Sequence, residues 1–403
     1  MDLDFIHQLV IPAQTKIAMI ILDGLGGLAI EPGGRTELET ARTPNLDALA
    51  ESSELGLVVP VAPGITVESG PGHLGLFGYD PLKYRIGRGV LEAVGVGFEL
   101  GPNDVAARGN YCRLDADGLV ADRRAGRIET GLSRELSRLL TTRIEDVDFL
   151  VETVKEHRLA VVMRGPGLGS ALTGSDPLKN GLPPQPILAL NPESDRTARL
   201  VEQFIERSRR ILADQPAGTP ANMILMRGFD RYPDLPGFPQ LYGLRAAAIA
   251  LNPTYRGIAQ LVGMQALPVE GGRVADEFRA LEENWNNFDF FYLHVKNTDI
   301  AGEDGDFDRK VGVIEELDAL MPRLMALKPD VVIVSGDHST PAALKGHSWH
   351  SVPTLVFSKY TRADGIAEFG EHACAHGSLG VLPAKQIMPI VLANALRLAK
   401  FSA

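Results

Sequence analysis

Residues 290–338 read FFYLHVKNTDIAGEDGDFDRKVGVIEELDALMPRLMALKPDVVIVSGDH. Two short apolar runs, FFYLHV and VVIVS, flank a stretch in which Phe307, Val311, Ile314, Leu317, Met321 and Leu324 recur at spacings of three and four. Short apolar runs bounded by polar turns have the length of buried strands, and the three-and-four spacing lays one apolar stripe along a helix. Strand, helix, strand is the unit of a parallel sheet, because the helix carries the chain back across one face. Pro322 is expected to kink or split this helix, since proline lacks an N–H and crowds the preceding turn.

The same alternation extends outward. KIAMIIL at 16–22 and TLVFS at 354–358 read as further strands, and SDRTARLVEQFIERSRRIL at 194–212 as a further helix of the same core. Ser194 is placed to cap that helix, with Val201, Phe204, Ile205, Ser208 and Leu212 on one stripe. Between about Gly101 and Pro177 the alternation breaks. There GNYCRLD and LVADRRA pair through Ala116-Asp117-Gly118, followed by a polar helix, GLSRELSRLL, and a strand, LAVVMRG. The fold class is therefore α/β, a core sheet flanked by helices from residues 1–100 and 178–403, with a smaller inserted α+β domain over 101–177. That insertion carries Arg108, Arg113, Arg123, Arg124 and Arg127, a local basic cluster.

Composition narrows the function. The chain has 403 residues, 45% hydrophobic and 23% charged, which excludes a disordered, collagen-like or disulfide-stapled protein. A formal net charge of −11 argues against nucleic acid or an anionic membrane as partner. The start, MDLDFIHQLV, has no basic segment ahead of its apolar residues, and Cys112 and Cys374 lie far apart, so a reducing cytoplasm is the expected location.

Open α/β sheets bind ligands beyond the carboxyl ends of their strands. KIAMIIL runs into Asp23, FFYLHV into Asp299, and VVIVSG into Asp337 and His338, while His347 and His350 precede VPTLVFS. Carboxylates and imidazoles gathered at one edge are ligands that manganese or zinc accepts, and there are enough of them for two ions. Ser69, in the Gly- and Pro-rich bend of VAPGITVESGPGHLGLFGYDP, is the candidate nucleophile. Two decoys are set aside. Gly24 to Ala29 fits a dinucleotide fingerprint, but Glu31-Pro32-Gly33-Gly34 follow too soon for the helix that a pyrophosphate needs. His372, Cys374 and His376 lack the spacing of a zinc site.

Together DGLGG, TPNLDALA, ESGPGHLGLFGYDP, NTDIAGEDGDF and SGDHSTP resemble the archaeal-type, cofactor-independent phosphoglycerate mutases of the alkaline phosphatase superfamily, from about Lys16 onward. The resemblance implies an alkaline-phosphatase-like core and interconversion of 3- and 2-phosphoglycerate in glycolysis and gluconeogenesis, without 2,3-bisphosphoglycerate. It implies that Ser69 takes up the phosphoryl group and that two divalent ions assist, usually manganese, with magnesium or zinc as the other choices. By motif position one ion falls to Asp23, Ser69, Asp337 and His338, and the other to Asp299, Glu303 and His347. His73 matches a residue that touches substrate and takes part in acid/base catalysis. The insertion matches the family's cap, with Arg108, Asn110, Arg124 and Arg127 as substrate-binding residues and Arg256 and Lys296 as weaker candidates. Glu303 departs from the pattern, since many relatives carry a histidine there, and a carboxylate favours harder ions. The expected partner is the small-molecule substrate, acting on a monomer or small homo-oligomer. The rival readings are a related phosphotransferase or phosphatase acting on another small alcohol, such as homoserine or a phosphopentose, and a non-catalytic metal-binding or scaffold protein, against which the intact ligand set weighs.

Overall fold

A strand that is apolar at every position can be buried on both faces only inside a sheet covered by helices. Ile17–Leu22, strand β1, is buried along its whole length in the computed structural model, which describes residues 3–216 and 218–402. In chain order there follow β2 (Ser53–Val59), β3 (Val105–Leu114), β4 (Val120–Asp122), β5 (Thr142–Ile144), β6 (Val147–Lys155), β7 (Arg158–Arg164) and β8 (Met223–Arg231). The last six are β9 (Ala246–Ala250), β10 (Gln265–Ala266), β11 (Phe290–Val295), β12 (Val331–Ser335), β13 (Val352–Ser358) and β14 (Gly380–Pro383). The chain divides into two compact units, Met1–Arg85 with Leu235–Ala403, and Ile86–Asp234.

The first unit holds an eight-stranded sheet in the order β10-β9-β11-β1-β12-β13-β2-β14. β13 pairs antiparallel with both its neighbours, and the other pairings are parallel. This one reversal matters for the site. Segments that follow the parallel strands and the segment that precedes β13 arrive at the same edge of the sheet. The helix Phe307–Ala326 buries Ile314, Leu317, Met321 and Leu324, as the spacing predicts, but it runs as one element through Pro322 instead of splitting there.

The second unit is a six-stranded antiparallel sheet, β4-β3-β7-β6-β5 with β8 also paired to β3. The helices Thr130–Leu140 and Asp195–Ala213 pack into its core, where Phe149 stacks on Phe204 with ring centroids 4.5 Å apart. The structure thus corrects the expected boundary of 101–177. The helix at 195–213 buries its stripe against the inserted sheet and not against the parallel one, β8 completes the edge of β3, and the helix Arg88–Gly95 lays Gly89 on the backbone of Ala106. Ser194 precedes that helix but does not cap it with its side chain. Its hydroxyl accepts instead from the N–H of Ala171, while Asn191 accepts from the N–H of Ser194.

Candidate active site

Ser69 opens the helix Ser69–Leu76, so the expected bend is the first turn of a helix. Pro71 is tolerated there because first-turn N–H groups have no partner within the helix. Gly72 is required by contact: a Cβ on it would sit 2.2 Å from the Asp337 carbonyl. The glycines therefore bring the serine helix against the loop that follows β12. Ser69 Oγ lies 3.1 Å from His338 Nε2 and 3.1 Å from the Tyr255 hydroxyl.

Around it the strand-end acids converge. His338 Nε2 is 3.3 Å from both Asp23 Oδ1 and Asp337 Oδ2, and His347 Nε2 is 3.4 Å from Asp299 Oδ1. Asp23, Asp337 and His338 form one group able to hold a cation, and Asp299, His338 and His347 another, with candidate ligand atoms within 4.8 Å of one another in each. His338 thus faces both groups, where the sequence reading gave it to one. Thr340 Oγ1 donates to Asp299 Oδ1 at 2.7 Å and contacts His338 Nδ1 at 3.0 Å, fixing both. Glu303 falls outside both groups. Its carboxylate is exposed at the rim, 3.8 Å from His347 Nε2.

Charge in this cluster is tightly paired. Burial pushes the Asp23 carboxyl up, but the Lys296 ammonium and the imidazoles of His294 and His338 hold it well below the usual range. Burial and the charge of Asp23 likewise push Asp337 up, and His338 and His73 outweigh them. Asp299, raised by burial, is brought down to about 2 by His347, Lys296 and His338. Burial lowers His347, yet its contacts with Asp299 and the Val67 carbonyl carry it up to about 9. The acids are therefore ionised. Asp23 Oδ1 and Asp337 Oδ2 are buried without a hydrogen-bond partner, an arrangement that costs several kcal/mol per uncompensated ion and that a divalent cation would relieve. The residues present fit the ions that the resemblance implies.

Several members of the site were not singled out from the sequence, or only weakly. Lys296 Nζ bridges Asp23 Oδ2 at 3.0 Å and Asp299 Oδ2 at 2.5 Å, and donates to the Tyr255 hydroxyl at 2.8 Å. Tyr255, next to the flagged Arg256, is the residue of that helix that reaches Ser69. Its ring stacks on His294 at 3.7 Å, and His294 Nε2 lies 3.2 Å from Asp23 Oδ2. His73 is fully buried among Phe77, Tyr255, Tyr292 and His294, with Nδ1 2.8 Å from the Ser69 carbonyl oxygen and 3.2 Å from Asp337 Oδ2. That geometry ties His73 to Ser69 and Asp337 and leaves its Nε2 buried without a hydrogen-bond partner.

In the inserted unit, Arg108 and Asn110 stand on one face of β3, opposite Arg227 of β8 and Arg158 of β7 respectively. Arg108 Nε, Asn110 Oδ1, Arg227 Nε and His157 Nδ1 are buried there without hydrogen-bond partners. Burial lowers the Arg108 guanidinium to about 10, with Arg227, Arg158 and Arg88 adding to the effect and Glu92, 3.6 Å away, opposing it. Burial first, then the charges of Arg158, Arg124 and Arg108 against the opposing Glu156, take His157 down to about 4. Asn110 Oδ1 is an acceptor, and Arg227 Nε has Asp176 Oδ2 at 3.5 Å, so the crowded guanidinium groups, with Arg108 Nε unpartnered, are what suits this face to an anion. Arg124 and Arg127 are exposed, as is Arg88, and the charge of Arg124 still acts on His157, while Arg123 is engaged in a bidentate pair with Asp176 at 2.8 and 2.7 Å. The sequence reading did not single out Arg88, Arg158 and Arg227, which stand beside Arg108. Elsewhere His372 pairs with Glu39 at 2.5 Å, and His376 Nδ1 contacts the His372 carbonyl.

The chain is similar to known proteins along nearly its full length. The family model described as 2,3-bisphosphoglycerate-independent phosphoglycerate mutase matches residues 50–218. A relative from Thermotoga neapolitana, named a probable 2,3-bisphosphoglycerate-independent phosphoglycerate mutase, is 50% identical over 99% of this chain and 98% of its own. One of the same name from Thermus thermophilus is 52% identical over 96% of each. Among solved structures, a cofactor-independent phosphoglycerate mutase from Thermoplasma acidophilum superposes with a TM-score of 0.76 at 31% identity, covering 95% of this chain and 100% of its own. A Pyrococcus horikoshii protein gives 0.83 at 29% identity, over 96% and 99%. With half its residues shared across nearly the full length of such relatives, the chain belongs to the 2,3-bisphosphoglycerate-independent phosphoglycerate mutase family.

Proposed function

We propose that the phosphoglycerate mutase reaction of this chain runs through a phosphoserine at Ser69. The observation that carries this reading is the placement of Ser69 Oγ, at the first residue of a helix and 3.1 Å from His338 Nε2, beside two ionised and incompletely paired aspartates. Two divalent ions held by Asp23, Ser69, Asp337 and His338, and by Asp299 and His347 with Glu303 at the rim, would supply Lewis acidity and make the serine hydroxyl a nucleophile at neutral pH. Manganese suits a set rich in carboxylates.

The protein's own groups do the rest. Ser69 gives up its hydroxyl proton and Oγ bonds to phosphorus as the bond to the 3-oxygen of glycerate breaks, that oxygen gaining one proton in exchange. Glycerate then turns within the site, and its 2-hydroxyl gives up a proton and displaces Ser69 Oγ from phosphorus, Oγ regaining one. The Tyr255 hydroxyl accepts from Lys296 and can donate to Ser69 Oγ, so it holds that oxygen in line. The Lys296 ammonium adds positive charge where phosphoryl oxygens gather. On the inserted unit Arg108, Asn110, Arg158 and Arg227 offer donors for carboxylate and phosphate, and Arg124 and Arg127 supply outer charge. The substrate-binding role of this unit is supported by the crowded guanidinium groups and the unpartnered Arg108 Nε. The net charge of −11 supports an enzyme without nucleic-acid or anionic-membrane partners, the two free cysteines fit a reducing cytoplasm, and no helix among the described residues is long and apolar enough to cross a membrane.

The test is metal-stripped protein resupplied singly with manganese, magnesium or zinc, without 2,3-bisphosphoglycerate, followed by acid quench and mass spectrometry. Turnover restored best by manganese, with phosphate on the peptide bearing Ser69, is expected. Ser69→Ala should retain fold and lose about 10⁴-fold or more in kcat. A Ser69→Ala protein that still interconverts the phosphoglycerates would overturn the mechanism.

A further inference from the structure

Lys310, on the helix Phe307–Ala326, has no exposed surface. Its Nζ donates to the carbonyls of Gly24 at 2.9 Å, Gly26 at 3.1 Å and Thr340 at 2.9 Å. An ammonium has three N–H bonds to give, and each is matched here by a main-chain oxygen. Two of those oxygens belong to the turn that follows Asp23, and the third to the loop that carries Asp337 and His338. The N–H of Thr340 donates to the same Gly24 and Gly26 carbonyls, at 3.2 and 3.0 Å. Glu37 supplies the opposing charge, with Oε1 3.9 Å from Nζ, and itself accepts from the N–H groups of Leu28 and Ala342. The turn is also held by the buried Leu25, by the Gly24 N–H donating to Asp337 Oδ1 at 3.1 Å and by the Thr298 hydroxyl donating to the Asp23 carbonyl at 2.6 Å. Among the described residues Lys310 is the one side chain that ties two of its carbonyls to that of Thr340.

We propose that Lys310 is a positioning residue of the metal centre: its ammonium locks the turn after β1 to the loop after β12, so that Asp23, Asp337 and His338 are held in cation-binding geometry. This rests on the reading of those residues as ligands of divalent ions. Geometry and charge act in opposite senses here. Asp23 and Asp299 lie within the electrostatic reach of Lys310, so losing its charge alone would tighten cation binding, whereas losing its three carbonyl ties loosens the ligands. Removing groups that orient metal ligands typically weakens binding by about 10–100-fold.

The experiment is Mn²⁺ titration of metal-free protein followed by the electron paramagnetic resonance of free Mn²⁺, for wild type, Lys310→Met, Lys310→Gln and Lys16→Met. Lys16 is the control, because its Nζ also ties two carbonyls, those of Trp285 and Phe288, away from the ligands. Melting of the metal-free proteins sets a temperature at which each is folded. The expected result is a Kd weakened about tenfold or more in Lys310→Met, a smaller loss in Lys310→Gln, which keeps an N–H donor, and an unchanged Kd in Lys16→Met despite its lower Tm. An unchanged or tighter Kd in folded Lys310→Met overturns the assignment. If that variant does not fold, Lys310→Gln is judged by the same criterion, and failure of both to fold makes Lys310 a residue of the core alone and equally overturns it. Absence of Mn²⁺ binding by wild type would instead overturn the metal reading.

Discussion

Single residues decide the charge of the site and, in one place, the stability of the fold. Glu277 is buried, accepts from the Leu251 N–H at 2.9 Å and has no cation beside it, and burial, with Glu316 and Asp276 nearby, pushes its carboxyl up to about 8. Below the ordinary value near 4.5 both folded and unfolded chains are protonated there. As pH rises from that value toward 8 the unfolded chain releases the proton and the folded one keeps it, so Glu277 erodes stability across that window. Glu277→Gln should therefore raise stability by roughly 3 kcal/mol at pH 8 and by little at pH 4, read from urea melts at the two pH values. Equal shifts at both would show that the carboxyl is ionised in the fold. The clustered acids and histidines that the structure brings together were legible in the sequence because each stands close to the end or the start of an apolar run. His294 and Tyr255 were not: one lies inside a strand that reads as core, the other in a helix whose pattern flagged its neighbour Arg256.

At the scale of elements, the serine helix depends on a residue that carries no chemistry. A methyl group at Gly72 would meet the Asp337 carbonyl at 2.2 Å, and that oxygen is main chain with no freedom to swing aside. Gly72→Ala is expected to cost about 1–3 kcal/mol of stability and to weaken metal binding, since relief requires moving either Ser69 or Asp337. A variant with wild-type Tm and wild-type activity would show that the helix has slack. The strands β1, β11, β12 and β13 were readable because runs of buried apolar residues leave no other reading at that length. The helix at 195–213 was recognised as a helix, yet its periodicity states only that one face is buried and is silent about which sheet buries it. Hence its assignment to the wrong unit, and with it the inserted boundary. Lone prolines are similarly ambiguous, as Pro322 within an unbroken helix shows.

For the whole molecule, the pairing of β1 with β11 and β12 joins segments from opposite ends of an intervening independent unit. Non-local pairing of this kind forms slowly, because a long loop must close before any contact is gained. The unit Ile86–Asp234 is continuous in sequence and mostly built from hairpins. Pulse-labelled hydrogen exchange during refolding should find the amides of β3, β6 and β7 protected before those of β1 and β12. Simultaneous protection would mean that the two units fold as one. The α/β class and the presence of an insertion were legible in the sequence; its extent was not, because a discontinuous unit leaves no mark in local periodicity.

The reversal of β13 has a consequence for synthesis. Because that strand runs against its neighbours, the segment leading into it delivers His347 to the same edge that Asp23 reaches by following β1. The ligands are thus translated far apart in time, Asp23 early and His347 late. A nascent or prematurely terminated chain that ends before β12 has neither Asp337, His338 nor His347, and on the proposed reading has no complete ion site with which to activate its serine. The candidate ligand set is complete only once the segment leading into β13 has been made, ahead of β14.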